Sequence, residues 1–244
     1  MTVKKGVLFI AVLLTLQPAF SQDKITEPKI TLKWAPTGLV LGGISLQGEY
    51  GFQKKSSLTA KIGVPIKRKY SATYDGNDAD LDIKAFSFLA GFRHYLSRQL
   101  LKGFYIEPFF TYAHHSSSGT GFGTLDSRQV MMDFSNDYNG TGVGVQLGSQ
   151  FIIRKKFVID LFFFGPQVTS STNNFKAVDS RNTLPWNDIE AADAEKSIRE
   201  FIDQFPFIRN KVDVKVDKSN RIVTADFKGA LIGIRFGVSF GVAL

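Results

Sequence analysis

The chain of 244 residues has no cysteine, so no disulfide can staple it and the fold must hold by hydrogen bonding and packing. After the first twenty or so residues it also lacks any apolar run long enough for a membrane helix. Acidic residues are in deficit: 30 Lys and Arg face 22 Asp and Glu, a formal net charge of +8. That excess does not point to nucleic acid. The basic residues fall in short turns and at alternate strand positions, with no basic stripe on a helix. Aromatics and glycine are what the chain has in quantity, with 23 Phe, 7 Tyr and 22 Gly.

The N-terminus has the form of a secretory signal peptide over residues 1–21. Lys4 and Lys5 precede the apolar stretch Gly6 to Leu16, then Pro18 and the small-x-small sequence Ala19-Phe20-Ser21. The folded part is then expected over 22–244, and removing Lys4 and Lys5 lowers the net charge to +6. An exported, aromatic-rich chain without an apolar 20-mer raises the possibility of a membrane β-barrel.

Period-2 alternation supports that reading. The last residues, LIGIRFGVSFGVAL, set Ile232, Ile234, Phe236, Val238, Phe240 and Val242 against Gly233, Arg235, Gly237, Ser239, Gly241 and Ala243. Similar alternation starts at Ile30, Ile44, Leu58, Phe86, Phe104, Val143 and Phe157. This predicts about eight strands of roughly ten residues, an even number, as single-chain bacterial barrels have. The connections alternate too. Those at 53–57, 97–103 and 154–156 are short, whereas those at 68–82, 114–140 and 165–224 are long. Short turns on one side and long loops on the other are the layout of an outer-membrane barrel, with 36–43 the exception. Lipid supplies no hydrogen-bond partners, so the last strand must pair with the first. Trp34, Tyr50, Tyr95 and Tyr112 are expected in interfacial aromatic girdles. Lys54, Lys55 and Arg154 to Lys156 are expected at anionic headgroups of the inner leaflet.

The stretches GFRHYLSRQLLKGFYIEPFFTY, NGTGVGVQLGSQFIIRKKFVIDLFFFGP and GIRFGVSFGVAL resemble small outer-membrane β-barrel proteins of the Bacteroidota, many of unknown function. ITLKWAPTGLVLGGISLQGEY resembles their first hairpin. The resemblance covers most of the chain. It implies an eight-stranded antiparallel transmembrane barrel in the Gram-negative outer membrane, but no activity and no site residues. The outer-membrane address brings lipid and lipopolysaccharide as neighbours. The alternating terminal strand suits recognition by the barrel-assembly machinery, although it ends in Leu244 where an aromatic is usual.

The expected inward positions carry Lys33, Glu49, Lys61, Arg93, Glu107, Asp160 and Arg235. Eight strands leave room for side chains but not for an aqueous channel, and buried charges need partners. Arg93 and Glu107, on neighbouring strands across a short turn, are expected to pair, and Asp160 to meet Arg235.

Three stretches are candidates for chemistry or binding. AHHSSSG at 113–119 places His114 two residues before Ser116, a pattern a lipid hydrolase could use with Asp126 or Asp133 orienting the imidazole. The bland alternative is a polar rim. His114 and His115 cannot share a metal, since adjacent strand residues point to opposite faces. YDGNDADLD at 74–82 could gather Ca²⁺, but it lacks the glycine and terminal glutamate of a helix-loop-helix calcium site and reads as a solvated turn. The longest loop predicts the one helix: Asn187 as N-cap with Glu190 three residues on, an apolar stripe of Ile198, Phe201, Ile202 and Phe205, a Glu195–Arg199 pair, and Pro206 beyond its end. A hairpin turning at 217–220 follows it. That helix either lids the barrel or meets a protein partner. The sequence predicts no cofactor, no metal site and no evident catalysis. It leaves open a structural or interaction barrel, a narrow transporter of a small solute, and a lipid-modifying hydrolase. A soluble lipocalin-like barrel is the alternative fold.

Overall fold

The computed structural model describes residues 28–40, 43–66, 68–74 and 77–244, so the expected signal peptide lies outside the described residues. Ten strands form one antiparallel sheet: β1 (Ile30–Ala35), β2 (Gly43–Gln53), β3 (Ser56–Pro65), β4 (Arg68–Tyr74), β5 (Asn77–Tyr95), β6 (Gly103–Leu125), β7 (Arg128–Ile153), β8 (Phe157–Asp179), β9 (Val212–Asp217) and β10 (Ile222–Ala243). Eight of them close a ring in the order β1-β2-β3-β5-β6-β7-β8-β10, with β10 returning to β1. At the seam Lys33 lies opposite Gly241 and Trp34 opposite Phe240. Backbone bonds between Ile30 and Leu244 tie the two ends together. The end of the ring holding Ile30 and Ala243 is its base.

β4 extends the sheet beside β5, and β9 beside β10. A single helical turn, α1 (Thr37–Val40), joins β1 to β2, and the longer helix α2 (Asp188–Asp203) stands between β8 and β9. The base connections are short. The upper ones are not the irregular loops expected from the sequence. β6 continues to Leu125 and β7 starts at Arg128, across a two-residue turn in which Asp126 and Ser127 both take positive φ. β8 runs to Asp179, so the insertion expected over 165–224 narrows to 180–221, holding α2 and β9. The upper strands are rich in Ser, Thr, Asn and Gly. Backbone pairing persists there although the hydrophobic alternation has gone.

Within the ring, bulky apolar residues point outward and polar ones inward. The burial of β1 alternates without a break. β8 carries one extra residue against both neighbours. Phe162 faces Gly237 and Gly148, whereas the next paired positions are Gly165 with Arg235 and Phe164 with Leu147. This bulge leaves Phe163 and Phe164 both exposed and reverses the inward parity. Asp160 and Phe162 face inward below it, and Thr169 and Ser171 above it. Inward glycines make room for rings: a Cβ on Gly144 would strike Phe109, and one on Gly237 would strike Phe162. The larger apolar clusters sit above, where Ile202, Val214, Val223 and Ala225 pack together, and Trp186 packs with Ala194, Leu125 and Val130.

Candidate functional site

A charge cluster crosses the lower interior. Each of its members lies at an inward position dictated by strand alternation: Lys33 on β1, Glu49 on β2, Arg93 on β5, Glu107 on β6 and Asp160 on β8. Lys33 Nζ reaches Asp160 Oδ2 at 2.6 Å, Gln150 Oε1 at 2.7 Å and Glu49 Oε2 at 2.8 Å. Arg93 Nη2 binds Glu107 Oε2 at 2.7 Å, and its Nη1 lies 3.0 Å from Asp160 Oδ2 and 3.2 Å from Glu49 Oε2. All five charged side chains are fully buried. Hydroxyls and amides satisfy the remaining carboxylate oxygens. Tyr95 and Ser57 donate to Glu49 at 2.6 Å each, Tyr105 donates to Asp160 at 2.7 Å, Gln146 donates to Glu107 at 2.8 Å, and Thr59 also donates to Glu107. The Tyr105 ring lies 3.6 Å beneath the Arg93 guanidinium. Leu101 tucks under the cluster with Tyr95 and Tyr105, and its carbonyl accepts from Gln150. The result is a plug spanning seven strands, β1, β2, β3, β5, β6, β7 and β8.

Arg93 and Glu107 are therefore joined, but Asp160 and Arg235 are not. Asp160 lies opposite Ser239, four residues further down β10. Its partners Lys33 and Arg93 reach it across the interior. Arg235 stacks over Phe109 at 4.8 Å, and its Nη1 is buried with no acceptor among the described residues. Tyr95, expected in a girdle, is buried beneath the plug, whereas Trp34 and Tyr50 do face outward. Tyr105, Gln146 and Gln150 were missed from the sequence. The only available signal was their place in the same inward alternation as Glu107 and Asp160.

His114 and Ser116 point outward. His114 Nδ1 lies 2.9 Å from Asn139 Oδ1, and its Nε2 is 3.8 Å from Asp137 Oδ2. Among the described residues no hydrogen bond joins His114 to Ser116. Asp126 sits in the distant hairpin turn and Asp133 lies opposite Thr120, so neither expected carboxylate orients the ring. His115 faces inward, and burial together with its neighbour His114 holds its imidazole below the ordinary value. Of the acidic stretch, 75–76 and the side chains of Asn77, Asp78 and Asp80 lie outside the described residues.

Helix α2 begins with the full capping box. Asn187 Oδ1 accepts from the Ile189 and Glu190 N–H groups, and the Asn187 N–H donates back to Glu190 Oε2 at 3.0 Å. Glu190 Oε1 also holds Arg128 at 2.6 Å, and Asp193 accepts from the Asp126 N–H, which ties the helix to the β6–β7 tip. The apolar stripe divides. Ile198 and Ile202 pack on the inner face of β8 and β10, while Phe201 and Phe205 stack on each other at 5.4 Å and stay exposed, as does Phe207. No family model matches the chain, and no curated protein matches it either.

Proposed function

We propose that the protein is a non-conducting barrel of the bacterial outer membrane, with an upper wall and helix that face the exterior and meet a protein partner. The observation that carries the membrane reading is the inside-out distribution of polarity. The cross-strand row Phe110–Val143–Val168–Ile232 is apolar throughout. Two residues higher the row is Tyr112–Thr141–Ser170–Ala230, and two higher again His114–Asn139–Thr172–Lys228. That sequence of rows matches a hydrocarbon edge passing into a headgroup layer. From Val242 to Ile232 the outward apolar run on β10 covers roughly 25 Å of height at ordinary strand rise and barrel tilt, the height of a membrane belt. A soluble lipocalin-like barrel needs the reverse arrangement, an apolar interior under a polar surface.

The plug disfavours transport, since the paired side chains of Lys33, Glu49, Arg93, Glu107 and Asp160 meet across the lower interior. The hydrolase reading loses support because both His114 nitrogens face groups other than Ser116. What is left unpaired is the exposed aromatic group Phe201, Phe205 and Phe207. The test is site-specific photo-crosslinking in cells after fractionation. A probe at Phe201 is expected to capture one recurrent envelope protein, and a probe at the packed Ile198 none. Recovery of the chain in the periplasmic fraction would remove the membrane reading. Adducts from neither position would remove the partner.

A further inference from the structure

β10 has a strand neighbour on both sides at 222–227, where β9 and β8 flank it, and at 240–242, where β1 and β8 do. Among the described residues, 228–239 pairs only with β8, because β1 stops at Ala35 and the chain turns into α1. Three outward residues of this half-paired stretch are among the most open apolar residues of the barrel. Ile232, Ile234 and Phe236 are 86%, 65% and 76% exposed, against 45% for Phe240 beside β1. A free sheet edge in hydrocarbon leaves backbone N–H and C=O groups unpaired, at several kcal/mol each, and is tolerated only where it lines a polar cavity.

Such a cavity lies directly behind it. A space of about 340 Å³, within the range of small-molecule sites, is bordered by Thr37 and Gly38 of α1 and by Ile234 and Phe236 of β10, and reaches inward to Lys61 and Arg235. These two cations contrast with the plug below. Among the described residues no carboxylate lies within ion-pair distance of either. Lys61 Nζ lies 5.7 Å from the Phe162 ring centroid, and Arg235 is held over Phe109 and Phe162. Arg235 Nη1 and Gln167 Oε1 are buried without partners among the described residues. Two cations without an ion-pair partner in a confined space are stabilised by an anion, and the apolar opening beside them leads into the belt.

The geometry points to a binding site for an acidic amphiphile with a single acyl chain. Its carboxylate or phosphate head lies between Lys61 and Arg235, and its chain leaves sideways between β10 and α1 into the lipid. This rests on the membrane reading above.

The test uses the full chain purified in neutral detergent and native mass spectrometry with laurate, dodecanol or inorganic phosphate. The wild type is expected to retain one laurate and neither of the others. The pair Lys61→Met and Arg235→Met should weaken laurate retention at least ten-fold, while Lys61→Arg keeps it. Heat-dependent gel mobility confirms that each variant is a closed barrel. If the double variant fails that check, the single Lys61→Met decides. Equal retention by wild type and variant assigns the laurate to the belt and overturns the site. Phosphate retained without laurate makes it a soluble-anion pocket and overturns the sideways path. Laurate failing to bind a chain that still fractionates with the outer membrane removes this inference alone. A chain found soluble in the periplasm removes both.

Discussion

Arg93 and Arg235 are the same residue type inside the same barrel, and their substitution should have opposite consequences. Arg93 compensates Glu49, Glu107 and Asp160, all of which are buried. Arg93→Met leaves Glu107 without a counter-charge and Glu49 and Asp160 with Lys33 alone, and breaking a buried pair this way costs about 3–5 kcal/mol. Urea titration in lipid vesicles should show a midpoint well below wild type, or no closed barrel at all. Arg235→Met removes a guanidinium whose Nη1 has no acceptor, so its midpoint should stay within about 1 kcal/mol of wild type or rise. A matching loss in both variants would mean that the pairing does not hold the plug. Legibility in the sequence divides along the same line. Arg93 and Glu107 sit on neighbouring strands across a short turn, so counting along the chain brings them together. Asp160 draws Lys33 and Arg93 from across the interior, a contact that no ladder register encodes. Arg235 sits four residues up β10 from Ser239, the residue opposite Asp160.

At the scale of the element, α2 shows what a helical pattern can and cannot reveal. Its start was readable because a capping box is a local, four-residue event: Asn187 and Glu190 bond each other's backbone groups. Which half of the apolar stripe would be covered was not readable. That depends on the inner faces of β8 and β10 rising beside it, and those strands continue through sequence with no hydrophobic alternation. The cap makes a pH prediction. The bond from the Asn187 backbone, with Arg128 adding to it, holds the Glu190 carboxyl below the ordinary carboxylate value. A carboxyl lowered on folding contributes stability above its unfolded value and loses it as pH falls through the folded one. Trp186 packs against Ala194 and donates to Asp179 at 3.2 Å, so its emission reports whether the helix is docked. In a Trp34→Phe background that emission should be steady from neutral pH to about 5 and shift red below roughly pH 4. Glu190→Gln should remove part of the acid transition, and Asn187→Ala should weaken docking by about 1 kcal/mol at every pH. An acid shift identical in Glu190→Gln would assign the transition to another group.

For the whole molecule, the lower interior is closed by charge and the upper one is roofed by a helix, and these two closures are separable. The plug is anchored in seven strands of the ring, while α2 and β9 are held on the upper wall by Ile198, Ile202 and Val214. β8 and β10 stay paired up to Val178 opposite Ile222, so replacing 180–221 by a short turn keeps the ring intact. If the plug is the barrier, the full chain and this shortened chain should both be silent in planar bilayers. The lower five-charge lattice fills the width that eight strands enclose whether or not the roof is present. Discrete conductance from the shortened chain alone would make α2 the seal and return the transport reading to first place. Silence from both leaves the upper cavity with two ways in, from above and past the open side of β10, and neither leads through the barrel. Under the function proposed above, silence from both chains fits a barrel that holds a ligand or presents a surface and passes no solute.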